Sequence, residues 1–110
     1  MKRYGIKVTV AIGGWNDSLG GKYSKLVNNP AARAKFVKHV VEFIETHGFD
    51  GLDLDWEYPK CWQVACDKGP ESDRESFALW VKELRAAFDS KGKSNLTFMV
   101  LKYLTYWILK

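Results

Sequence analysis

Hydrophobic pattern divides the chain into short segments of different period. Ile6 to Ile12 is a brief, β-branched run closed by Gly13-Gly14, which predicts a buried parallel strand. Asn16 to Asn28 is polar and contains glycines, and is read as a loop. Phe36, Val37, Val40, Val41 and Ile44 then recur at helical spacing, with Lys35, Lys38, Glu42 and Glu45 mostly elsewhere. Asn29 is the expected N-cap of that helix and Pro30 its first turn, while Gly48 ends it after His47. From Leu52 to Glu57 the period changes to two. Ser72-Asp73-Arg74-Glu75 has capping-box spacing and opens a helix carrying Phe77, Trp80, Val81, Leu84 and Phe88. Asp89 to Gly92 ends it, and Asn95 to Val100 begins a third strand. The predicted order is β-α-β-α-β with parallel strands, an α/β fold of the barrel or doubly wound kind.

The period-two stretch carries the chemistry. Side chains of a strand alternate between faces, so Leu52, Leu54 and Trp56 share one face and Asp53, Asp55 and Glu57 the other. Asp is a poor strand former, and carboxylates in a row repel, so local propensity does not account for the acids. On alternation alone two readings stand: a solvated face of a one-sided sheet, or a catalytic proton relay. A calcium loop would need glycine at its sixth position, which counted from Asp53 is Tyr58. In parallel α/β sheets ligands meet the C-terminal strand ends, which singles out Glu57, last in the row. Neighbouring negative charge and partial burial raise carboxyl pKa values, as a general acid near neutrality requires. Gly13-Gly14 ends the preceding strand and suits either close backbone approach to a ligand or a simple turn. Trp15 and Asn16 follow at that strand end.

Asp50-Gly51-Leu52-Asp53-Leu54-Asp55-Trp56-Glu57-Tyr58-Pro59 resembles, without a break, the active-site signature of family 18 glycoside hydrolases, the chitinases and chitinase-like lectins. Lys7 followed by Gly13-Gly14-Trp15 looks like the third-strand motif of that family, with Ala11 where some members carry Ser. The resemblance covers residues 5 to 100. It implies strands three and four, the helices after them, and the start of strand five of a (β/α)8 TIM barrel. Such barrels take about 250 residues. Residues 1–100 are therefore expected to be a partial catalytic domain lacking the remainder of its own barrel, and the isolated chain is not expected to catalyse.

The resemblance implies hydrolysis of β-1,4-N-acetylglucosamine linkages in chitin or chito-oligosaccharides, by the substrate-assisted retaining route of this family. Glu57 would act as acid and then base. Asp55 would hold the substrate's acetamido group, and Asp53 would share a proton with Asp55. Gly13, Gly14, Trp15, Asn16 and Tyr58 would shape or contact the sugar subsites. Asp50, of opposite parity, is assigned to structure. The alternative is a non-catalytic chitin-binding lectin; members of that kind often lose the final acid, and Glu57 is present. The resemblance also implies secretion of the full-length protein.

Composition adjusts this picture little. A chain of 110 residues, 46% hydrophobic and 27% charged, suits one modest core and argues against disorder. The 15% aromatic content suits a core or a sugar-stacking cleft equally. The net charge of +4 is scattered over Lys2, Arg3, Lys22, Lys25, Arg33, Lys35, Lys38 and later residues. These are read as solvated helix faces, with no nucleic-acid partner. His39 and His47 are read as surface or helix-end residues, and no metal or cofactor is expected. Cys61 and Cys66 lack partners for a zinc site and are either disulfide-bonded or two free thiols. Trp62 between them could line a cleft or only pin its loop. The run from Val8 to Ile12 is too short for a signal peptide. Residues 101–110 form an atypical tail, interrupted by Lys102 and too short for a membrane span, and are expected not to be barrel sequence. Glycosylation triplets occur at Asn16 and Asn95; Asn16 is expected to stay unmodified if it lies in a cleft.

Overall fold

A computed structural model describes residues 5–63, 66–92 and 97–100. The expectations for Met1 to Tyr4, for Asn95 and for the tail at 101–110 lie outside these described residues. The elements are β1 (Thr9–Gly13), α1 (Lys22–Val27), α2 (Pro30–His47), β2 (Gly51–Asp55), α3 (Ser72–Ser90) and β3 (Thr97–Val100). The sheet order is β1-β2-β3, and both pairs are parallel. Parallel neighbours cannot be joined by a tight hairpin, and here α1 with α2, and then α3, make the two crossovers.

Helix α2 starts and stops as its sequence dictates. The Asn29 side chain accepts a hydrogen bond from Ala32 N at 3.2 Å, and Pro30 occupies the first turn, where its missing N–H costs nothing. Gly48 closes the helix in the left-handed conformation, φ 69°, and its N–H donates to Ile44 O. On the inner side Val40, Val41 and Ile44 are buried. Helix α3 buries Phe77, Trp80, Leu84 and Phe88 at the same spacing, while Val81 is only half-buried.

The core lies on one side of the sheet. Leu52, Leu54 and Trp56 pack with Tyr23 and Val27 of α1, with the inner residues of α2, and with Phe77, Trp80, Leu84 and Phe88 of α3. Trp56 meets Tyr23 and Phe77 at ring separations of 5.9 and 5.8 Å, and Trp80 meets Phe36 edge-on at 5.0 Å. The register pairs Val10 with Leu52 and Ile12 with Leu54, so these four side chains face the helices. Ala11 pairs with Asp53 and Gly13 with Asp55, which places the acids on the opposite face. There Ala11 is exposed, and Asp53 and Asp55 are only half-buried.

Four expectations change. β1 begins at Thr9 and not at Ile6, which is 61% exposed, and the strand is half-buried because β2 is its sole strand neighbour among the described residues. The stretch read as a loop contains α1, six residues that bury Tyr23, Ser24 and Val27. The capping box is not formed. Ser72 is already the first helical residue, the cap at Glu71 makes no side-chain hydrogen bond, and Asp73 turns inward. Arg33 is not a solvated cation. It is buried, donates to Val27 O at 2.6 Å, and ties α2 to α3 by reaching Glu83 at 2.9 and 3.3 Å.

Beside β1 the outer surface stays apolar. Val10, Ile12, Phe36, His39, Val40 and Phe43 line an open groove of about 310 Å³.

Phe77 and Leu79 offer a matched test of this one-sided core, because they share α3 but only Phe77 is fully buried, while Leu79 is 46% exposed. Phe77→Ala is expected to cost about 3–5 kcal/mol in urea unfolding, and Leu79→Ala no more than about 0.5 kcal/mol. Equal effects would contradict the assignment of the core to this face.

Candidate active site

The face of β2 turned away from the helices presents Asp53 and Asp55, and the chain continues past the strand end to Glu57. All three are half-buried. Burial, a hydrogen bond with Asp53, and the charges of Asp53 and Glu57 push the Asp55 carboxyl up to about 6. Its Oδ1 is buried and has no hydrogen-bond partner among the described residues. A buried acceptor without a donor is costly, so a bound molecule supplying a donor would relieve it.

The end of β1 is built against this row. Gly13 has φ 109°, and a Cβ placed there would lie 2.6 Å from the carbonyl carbon and oxygen of Asp55, so only glycine fits. Gly14 N donates to Asp55 O at 2.8 Å. Trp15 stands at the loop tip, 45% exposed, with Asn16 exposed beside it. Ser18 follows in the same loop; it is 1% exposed, and its hydroxyl accepts from Glu57 N at 2.8 Å and lies 3.5 Å from Asp55 O as a donor. The loop after β2 closes from the other side. Gln63 N donates to Glu57 O at 2.8 Å, and Gln63 Nε2 donates to Trp15 O at 3.0 Å. The Glu57–Tyr58 peptide bond is cis. Tyr58 is half-buried against the core, and its N–H donates to Cys61 O at 3.1 Å.

Cys61 and Cys66 are disulfide-bonded. Trp62 pins the loop: a Cβ on Gly21 would come within 3.0 Å of its ring, one on Gly69 within 2.7 Å of its Nε1, and that nitrogen donates to Asp73 at 3.0 Å. Asp73 is fully buried and accepts also from Ser24 Oγ at 2.6 Å, Asn28 Nδ2 at 2.9 Å and Lys60 N at 2.9 Å. One carboxylate thus joins α1, the loop after β2 and the start of α3. Asp50 is likewise structural, its carboxylate accepting from Val8 N at 2.8 Å at the opposite end of the strands.

Glycosyl hydrolases family 18 is the family whose model matches, over residues 1–106. The chain belongs to glycosyl hydrolase family 18. Among similar proteins of this family, probable chitinase 10 of Drosophila melanogaster is 58% identical over 84% of the chain, and the Manduca sexta endochitinase 45% identical over 80%. The crystal structure of catalytic domain 2 of the Ostrinia furnacalis group II chitinase superposes over 96% of the chain, with a TM-score of 0.85 and 55% identity. A Glu-to-Leu mutant of that domain, 54% identical, has been crystallised with an (NAG)5 oligosaccharide. The chain spans 4% and 15% of the two curated relatives and 28% of the solved domain.

Within this family 18 chain the structure brings Gly13, Gly14, Asp53, Asp55 and Glu57 to one end of the sheet, with Trp15, Asn16 and Tyr58 on the loops around them. Sequence reasoning missed Ser18, Gln63 and Asp73, which hold those loops. Ser18 and Gln63 carry no signal, since a polar residue in a polar loop is ordinary. Asp73 had one, but its place in a capping-box pattern pointed to the helix end.

The Asp55 shift has a definite sign. Between its ordinary value of 3.8 and about 6, the folded state holds a proton that the unfolded chain has lost. Stability should therefore fall as pH rises through that window. Asp55→Asn is expected to flatten that slope in urea unfolding, and an unaltered slope would clear Asp55 of the effect.

Proposed function

We propose that this chain is part of the catalytic barrel of a chitinase, contributing about strands three to five of a (β/α)8 fold. Residues 1–100 are assigned to the partial catalytic domain. The parallel β1-β2-β3 sheet with helices on one face supports this, as does the apolar groove beside β1, where a further helix of the barrel would pack. The substrate is chitin or its oligosaccharides, in keeping with the relatives named chitinase, and the whole protein acts outside the cell.

Glu57 protonates the glycosidic oxygen. The 2-acetamido oxygen of the sugar attacks the anomeric carbon, forming an oxazolinium ion and releasing the leaving sugar as an alcohol. Glu57, now a carboxylate, takes a proton from the water that opens the ring, with net retention of configuration. Asp55 hydrogen-bonds the acetamido group and opposes its positive charge, while Asp53 shares the proton that the raised Asp55 pKa keeps within the row. Gly13, Gly14, Trp15, Asn16 and Tyr58 form the walls, with the Trp15 ring available to stack on a sugar. The observation that carries this reading is the half-buried acid row at the C-terminal end of β2, on the face turned away from the helices, with Asp55 Oδ1 lacking a donor among the described residues.

The test places the chain in a complete catalytic domain. Glu57→Gln is expected to lower turnover of a fluorogenic chitotriose by at least about 10²–10⁴-fold, the range of general acid–base catalysis, while chitin binding persists. Substantial remaining hydrolysis would remove Glu57 from this role.

A further inference from the structure

Glu57 stands beyond the last residue of β2, where a sheet ladder no longer fixes the backbone. Something else must hold it. Its carbonyl is held by Gln63 N at 2.8 Å, and its N–H is held by a side chain, the hydroxyl of Ser18, at 2.8 Å. Ser18 comes from the loop after β1, thirty-nine positions earlier in the sequence, yet it is 1% exposed and itself secured by Ser18 N donating to Gly14 O at 3.0 Å. A hydroxyl has one proton to donate and lone pairs to accept. Here it accepts from Glu57 and directs its proton toward Asp55 O at 3.5 Å, so one small side chain touches the main chain at both acids.

We propose that Ser18 is a positioning residue that sets the placement of Glu57 relative to Asp55 and so to the glycosidic oxygen. The inference rests on the reading of Glu57 as proton donor. Ser18 does not touch substrate in this account; it is 1% exposed and bonded only to main-chain groups. Its effect should therefore fall on turnover and not on binding. Removing the hydroxyl leaves Glu57 N–H without this partner and facing a methyl group, and the carboxyl-bearing segment is then free to shift. Displacement of a catalytic group by about 1 Å can cost about 10²-fold in rate.

The experiment compares Ser18→Ala and Ser18→Cys in a complete catalytic domain containing this chain, with the unsubstituted domain and Glu57→Gln alongside. Chitotriose turnover, KM, oligosaccharide affinity by calorimetry and thermal unfolding are measured on each. Ser18→Ala is expected to reduce kcat by about 10–100-fold, with KM and affinity within about threefold of the parent. Ser18→Cys keeps the branching and a donor–acceptor atom, as a larger and weaker-accepting sulfur, and should fall between the two. Should Ser18→Ala fail to fold, the Cys variant decides alone: reduced kcat at unchanged affinity supports the role, and full turnover overturns it. Full turnover by a folded Ser18→Ala, or equal losses in kcat and affinity, would also overturn it. An inactive parent, or an active Glu57→Gln, would remove the chitinase reading and this inference together. If both controls behave and only the Ser18 effect is missing, the chitinase reading survives.

Discussion

Burial of Leu52, Leu54 and Trp56 against three helices is the constraint on which the rest depends. It decides which face of β2 points inward, and the period of two then decides where the acids go. A slip of one residue would exchange the faces, burying Asp53 and Asp55 under the helices and exposing the leucines. Removing those apolar side chains from water contributes about 1.5–3 kcal/mol each, so the alternative register is strongly disfavoured. The hydrophobic half of the motif is thus what aims the acidic half. No property of the carboxylates themselves is needed to set their direction.

Direction is not placement, and placement is the work of main-chain contacts. The backbone of Gly13 lies so close to Asp55 that no side chain could stand between them. Ser18 and Gln63 then grip Glu57 from its two sides, and Gln63 also holds the Trp15 carbonyl. Asp73 performs the corresponding task one layer out, with four hydrogen bonds that fix the loop after β2 on α1 and α3. Each donor on Asp73 would otherwise be a buried or half-buried polar group seeking a partner, so the carboxylate stabilises several segments at once.

These two levels differ in how legible they are from sequence. Helix α2, with Asn29, Pro30 and Gly48 at its ends, and the two-faced β2 follow from local rules, because each signal lies within a few residues of its effect. Helix α1 did not show, since six residues carry too little periodicity to stand out from a glycine-containing loop. Arg33 and Asp73 were misread for a related reason. A buried charge is recognised by its partners, and Glu83, Ser24, Asn28 and Trp62 are adjacent only after folding. Ser72 to Glu75 matched a capping pattern, yet the side chain that matters there serves the core. Trp62 left two roles open in sequence, and its packing on Gly21 and Gly69 shows that it pins the loop. The acids and the glycine pair of the site were legible, whereas the residues that hold them were not.

The same division explains why the acid row is tolerable. Asp53, Asp55 and Glu57 repel one another, and Asp55 Oδ1 finds no donor among the described residues, so this face contributes no favourable burial of its own. The opposite face carries the compensating burial, and the two faces are joined by a strand of only five residues. Because the favourable term sits on one face and the unfavourable one on the other, the acids can be relieved by a ligand without disturbing the core. A site assembled inside the core would lack that independence. The spatial separation lets a short segment hold an electrostatically strained row and still keep its shape.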